Sequence, residues 1–98
     1  MRLPSTDHVE LTVHDLGGHG GDALLCHATG FHGLVWAPLA SHLHGLHAWA
    51  PDFRGHGASV TPPGYEFSWD RFADDVLACV DGLGLDHPIG IGHSKGGA

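Results

Sequence analysis

The sequence predicts an α/β fold, a mostly parallel sheet with crossover helices. Three observations carry this. Short apolar runs bounded by glycine and proline alternate with segments of helical spacing. One run, Ala23-Leu24-Leu25-Cys26, is continuously apolar, as in a strand covered on both faces. Glycines and polar residues gather just after the apolar runs, where open parallel sheets bind their ligands.

Val9, Leu11 and Val13 alternate with polar residues, which predicts a half-buried strand. Gly17-Gly18-His19-Gly20-Gly21 reads as a flexible turn, and Ala23–Cys26 as the next strand. Leu34, Leu39 and Leu43 have helix-like spacing within 34–44, provided Pro38 sits in the first turn. Leu46–Pro51 reads as a strand, followed by a long glycine- and proline-rich loop from Arg54 to Ser68. Trp69, Phe72, Val76, Val80 and Leu83 then recur at intervals of three and four. Ser68 is expected to cap this helix, with Asp70 in its first turn, and Gly82 and Gly84 to end it. Pro88–Gly92 is the last strand. Strand, helix, strand, helix, strand implies βαβ crossovers.

Composition narrows the function classes. The 98 residues make one domain at most and are 42% hydrophobic. The formal charge is −7, and Arg2, Arg54, Arg71 and Lys95 are too scattered to form a basic patch. A nucleic-acid partner is therefore not expected. No apolar run approaches the roughly 18 residues of a membrane span, so no membrane partner is expected either. Two cysteines, Cys26 and Cys79, and an N-terminus without an apolar leader point to a reducing, cytoplasmic setting. Among eleven histidines, His42, His44 and His47 lie close together. Positions two apart face different sides of a helix, and no Cys or Glu stands at ligand spacing, so no metal is expected.

The sharpest signal is Gly92-His93-Ser94-Lys95-Gly96, a G-x-S-x-G pattern after a strand. A tight strand-to-helix turn needs glycine two residues either side of the serine, where a Cβ would collide. Such a turn lifts the Ser94 hydroxyl clear of the backbone. It also aims the Lys95 amide at a substrate oxygen. Gly90-x-Gly92-x-x-x-Gly96 loosely resembles a dinucleotide loop, but the tighter fingerprint needs glycine at 95 and a P-loop needs Gly-Lys-Ser, so both phosphate readings rank below the nucleophile turn.

Three ordered blocks now stand together: "LLCHATGFHGLVW" (24–36), "APDFRGHGAS" (50–59) and "GIGHSKGGA" (90–98). In order and spacing they resemble the oxyanion block, the Asp-x-Arg-Gly-His-Gly block and the nucleophile elbow of the α/β-hydrolase fold superfamily. The resemblance covers nearly the whole chain. It implies that Ser94 is the nucleophile and that the amides of Lys95 and Thr29 form the oxyanion hole. Ala28 stands where the family usually has glycine, which leaves Phe31 as a residue that can sit nearer the pocket. His27, Asp52, Arg54 and His56 would brace loops by hydrogen bonding rather than form a triad. Lys95 replaces a common apolar residue; its amine is expected to reach water, the alternative being a positive charge that favours an anionic substrate or oxyanion.

The resemblance implies no cofactor and a small-molecule substrate. In the superfamily the triad acid and histidine follow the serine. Residues 1–98 are thus expected to form a partial domain, lacking the C-terminal strands, cap, acid and histidine, and inactive by itself. Serine at the nucleophile position argues against the epoxide-hydrolase and dehalogenase branches and favours an esterase-like enzyme. Perhydrolase and carbon–carbon hydrolase chemistry stay open, as does a non-catalytic member that binds ligands or proteins.

Overall fold

The computed structural model describes residues 1–28, 30–68 and 70–93. The described chain forms one five-stranded sheet with helical segments. Its strands are β1 (Arg2–Pro4), β2 (Glu10–Gly18), β3 (Gly21–Cys26), β4 (Leu46–Asp52) and β5 (Ile89–Gly92). A 3-10 turn (Gly33–Trp36) runs into the short α1 (Ala37–Ala40), and α2 spans Arg71–Gly82. No helix among the described residues is long and apolar enough to cross a membrane.

The strand order is β1-β2-β4-β3-β5. The sheet is mixed. β3 pairs in parallel with β4 and β5, whereas β1, β2 and β4 pair antiparallel. β1 escapes a reading of the sequence because a three-residue strand with one buried side chain, Leu3, carries no period.

β2 and β3 follow each other closely yet do not pair, because β4 lies between them. Their link crosses the start of β4. A Cβ on Gly18 would lie 2.0 Å from the Leu46 carbonyl oxygen, and one on Gly20 would lie 2.2 Å from that of Gly45. Only glycine permits that approach. The glycine cluster is therefore a close crossing, and β2 continues through Gly18 with a register shift after Asp15.

Alternation along β3 builds the layers. Leu24 and Cys26 join Leu3, Val9, Leu11, Val13, Phe53 and Cys79 in one cluster, over which Phe72, Val76, Val80 and Leu83 of α2 and its C-cap pack. Ala23 and Leu25 join Ala48 and Ala50 on the other face, under Trp36, Ala40, Leu43 and Ile91. β3 is thus covered on both sides, as its apolar run predicts.

The helix expected over 34–44 is shorter and faces differently. Leu43 meets the core as expected, but Leu34 and Leu39 are exposed and Trp36 and Ala40 take their place. Pro38 lies in the first turn of α1, and the Ser41 hydroxyl donates to its carbonyl, 2.8 Å away, as α1 ends. α2 also starts later than expected. Ser68 supports it through its carbonyl, which accepts from the Arg71 amide (3.1 Å), and Asp70 occupies the N-cap.

Candidate active site

The chain leaves β3 towards β4 on one side, then crosses to the other side of β3 for β5. This reversal opens a crevice at the carboxyl ends of the parallel strands, the usual place for a ligand in such sheets. An open cleft of about 600 Å³ lies there, lined by His27, Phe31, Val35, Trp36, Ile91, Gly92 and His93. One side comes from the segment after β3, the other from β5 and its end.

The β3–β5 ladder runs to the pair Cys26/Gly92, and the His93 amide extends it by donating to the Cys26 carbonyl (3.2 Å). The segment after β3 turns back at once, the Phe31 amide donating to the Ala28 carbonyl (3.1 Å). Phe31 lines the cleft, and its ring centroid stands 6.1 Å from that of His93. Ser94, Lys95 and Thr29, the nucleophile and oxyanion donors suggested by the sequence, lie outside the described residues.

The four residues that tempt a triad assignment are tied into the scaffold. His27 is buried, with Nδ1 2.7 Å from its own neighbour's carbonyl at Ala28 and Nε2 3.0 Å from the Phe53 amide. Nδ1 therefore carries the proton and donates, and Nε2 accepts. This bond locks the end of β4 to the end of β3. The Asp52 carboxylate accepts from the Gly33 amide (2.7 Å), the Ala58 amide (2.9 Å) and His14 Nε2 (3.1 Å). It holds the two loops that follow β3 and β4 in one grip. Burial pushes its pKa up, but the amides of Ala58 and Gly33, with His14, outweigh burial and bring it below the ordinary value. Gly33 fits because a Cβ there would lie 2.6 Å from the Ala50 carbonyl oxygen.

Arg54 is fully buried, and all three of its side-chain nitrogens donate. Asp75 takes bonds from Nε (3.1 Å) and from a terminal nitrogen (2.7 Å). Ser5, Thr6, Asp7 and Tyr65 take the rest. His56 packs its ring between those of His27 and Phe72, and its Nδ1 donates to the Arg54 carbonyl (3.0 Å). All four thus act as braces. Sequence reasoning missed Asp75, His14 and Trp36. For Asp75 a signal existed: a carboxylate on the apolar face of α2, three residues after Phe72 and one before Val76.

Among the described residues no three His, Cys, Asp or Glu side chains converge to hold a metal. His42 and His44 are exposed, and His47 Nε2 donates to Asp15 (2.7 Å).

Residues 23–98 match the alpha/beta hydrolase fold family. The chain belongs to that family. A similar protein is the AB hydrolase superfamily protein YisY of Bacillus subtilis, 33% identical over 98% of this chain and 36% of its own length. The bifunctional esterase/perhydrolase DCH of Acinetobacter calcoaceticus is 43% identical over 54% of this chain and 19% of its own length. Among solved structures, a thermophilic esterase from Thermogutta terrifontis superposes with a TM-score of 0.82 at 27% identity, covering 99% of this chain and 37% of that one. The chain thus spans about a third of the length of YisY and of that esterase. The hydrolase family and the architecture of its sheet are established for these residues.

Proposed function

We propose that this chain carries the nucleophile and oxyanion donors of an esterase-like serine hydrolase. The observation that supports this best is the meeting of β5 with the segment after β3 at one cleft. His93, the residue before Ser94, and Phe31, two residues after Thr29, line the same opening. The similarity to an esterase/perhydrolase and to a solved esterase points the same way.

In this reading Ser94 Oγ attacks the ester carbonyl carbon and gives its proton to a histidine base. The amides of Lys95 and Thr29 donate to the oxyanion as it forms. Collapse expels the alcohol, which takes the proton, and leaves an acyl-Ser94 ester. Water, deprotonated by the same base, then attacks the acyl carbon; the acyl–Oγ bond breaks, the base returns the proton to Ser94 Oγ, and the acid leaves. His27, Asp52, Arg54 and His56 serve as braces in this reading and not as the base or its acid partner.

The test is labelling by a fluorophosphonate of the protein carrying these residues. Labelling that disappears in Ser94→Ala supports the assignment. A folded protein that never labels would favour a non-catalytic, ligand-binding member of the family.

A further inference from the structure

The lining of the cleft says what kind of group it accepts. Phe31, Val35, Trp36 and Ile91 contribute apolar residues, and Gly92, His93 and the buried His27 complete the lining. Among the described residues that line it, none is an acid, a lysine or an arginine. The cations elsewhere are committed or distant. Arg54 is enclosed with Asp75, and Arg71 faces Asp7 and Asp74. Arg2 sits on β1, at the opposite edge of the sheet from β5. The remaining cation, Lys95, lies outside the described residues. The whole chain carries −7, which repels anions at long range. A carboxylate entering this cleft would lose water without gaining a described cation, which is costly.

Phe31 is the residue best placed to discriminate. It belongs to neither core cluster and is 49% exposed in this chain, so its ring is open to a ligand here. A ligand that covers it gains apolar contact and an aromatic face beside His93.

Resting on the serine-hydrolase reading, we infer that this cleft receives the acyl part of the substrate, that the acyl group is uncharged and apolar, and that Phe31 sets this preference. The experiment uses the protein carrying these residues. It compares 4-nitrophenyl hexanoate with the mono-4-nitrophenyl ester of adipic acid, which has the same chain length and a terminal carboxylate. The expected kcat/KM favours the hexanoate by about tenfold or more. Phe31→Ala is expected to lower hexanoate turnover by about tenfold and leave the adipate ester nearly unchanged. Phe31→Lys, which puts an ammonium at the opening, narrows or inverts the ratio. Circular dichroism of both variants, matched to that of the parent protein, checks that each is folded.

Equal or better use of the adipate ester by the parent protein, or a ratio unmoved in both variants, overturns the inference. Fluorophosphonate labelling of Ser94 separates the two levels. Labelled Ser94 with equal use of both esters, or with use of neither, sinks the inference alone. Absence of both labelling and turnover sinks the serine-hydrolase reading with it.

Discussion

Arg54 and Asp75 form an enclosed ion pair, both side chains at 0% exposure and 2.7 Å apart, that binds the loop after β4 to the middle of α2. Around it, Ser5, Thr6, Asp7 and Tyr65 fill the remaining donor sites of the guanidinium. The pair connects the N-terminal hairpin, the loop and the helix through one side chain. Asp75→Leu leaves that guanidinium only the partly exposed Asp7 as counter-charge and should cost about 3 kcal/mol or more. Arg54→Met with Asp75→Leu should cost less than the sum of the two single changes, because neither charge is then stranded. Urea midpoints of the four proteins in this cycle measure the difference. Strict additivity would contradict the account.

Asp52 makes stability depend on acid. Its pKa is lowered in the folded state, so the unfolded chain takes up the proton more readily. Its contribution is therefore complete above the unfolded value of about 4 and is lost as pH falls through the lower folded value. Asp52→Asn should flatten this acid limb and reduce stability at neutral pH by about 1–3 kcal/mol. Urea midpoints collected from neutral pH down to the acid range test both statements.

Gly33 is a packing requirement on the loop that borders the cleft. An added Cβ would meet the Ala50 carbonyl oxygen at 2.6 Å and His14 Cδ2 at 2.9 Å. Backbone cannot yield as a flexible side chain can, so Gly33→Ala must push the loop off β4 and lengthen the Gly33–Asp52 bond. The expected loss is about 1–3 kcal/mol. It should be only partly reduced when Asp52→Asn is already present, since the Gly33–Asp52 bond is then already weakened but the clash with Ala50 persists.

The two cysteines should be inert in the native protein. Burial, then Cys26 and Asp75, push the Cys79 thiol up to about 12, and both cysteines are buried. Thiolate is the reactive form, so alkylation of Cys79 should need unfolding. Mass spectrometry after iodoacetamide treatment, with and without urea, reads this directly.

Much of this was legible in the residues. The continuous apolar run at β3 announced a strand covered on both faces, and the Phe72–Val76–Val80 spacing announced α2. The three blocks at the strand ends carried the family. What stayed hidden depended on distance in space. The glycines at 17–21 read as a loose turn, and only the sheet order shows them crossing β4. Leucine spacing suggested one face for the segment after β3, but the proline and the 3-10 turn rotated Trp36 and Ala40 inward. Asp75 could be flagged as a buried carboxylate, yet its partner lies 21 residues away in sequence. For the site, the sequence located the ends of β3 and β5, and the fold joined them in one cleft lined by Phe31 and His93.

The central claim is that Ser94 forms a covalent bond to the acyl group. The direct measurement is peptide mass spectrometry of the protein carrying these residues, acid-quenched during turnover of 4-nitrophenyl acetate. The account predicts an acetyl group on the peptide that holds Ser94, absent in Ser94→Ala. Ester turnover that persists in Ser94→Ala, with any acetyl group found on another residue, would contradict it.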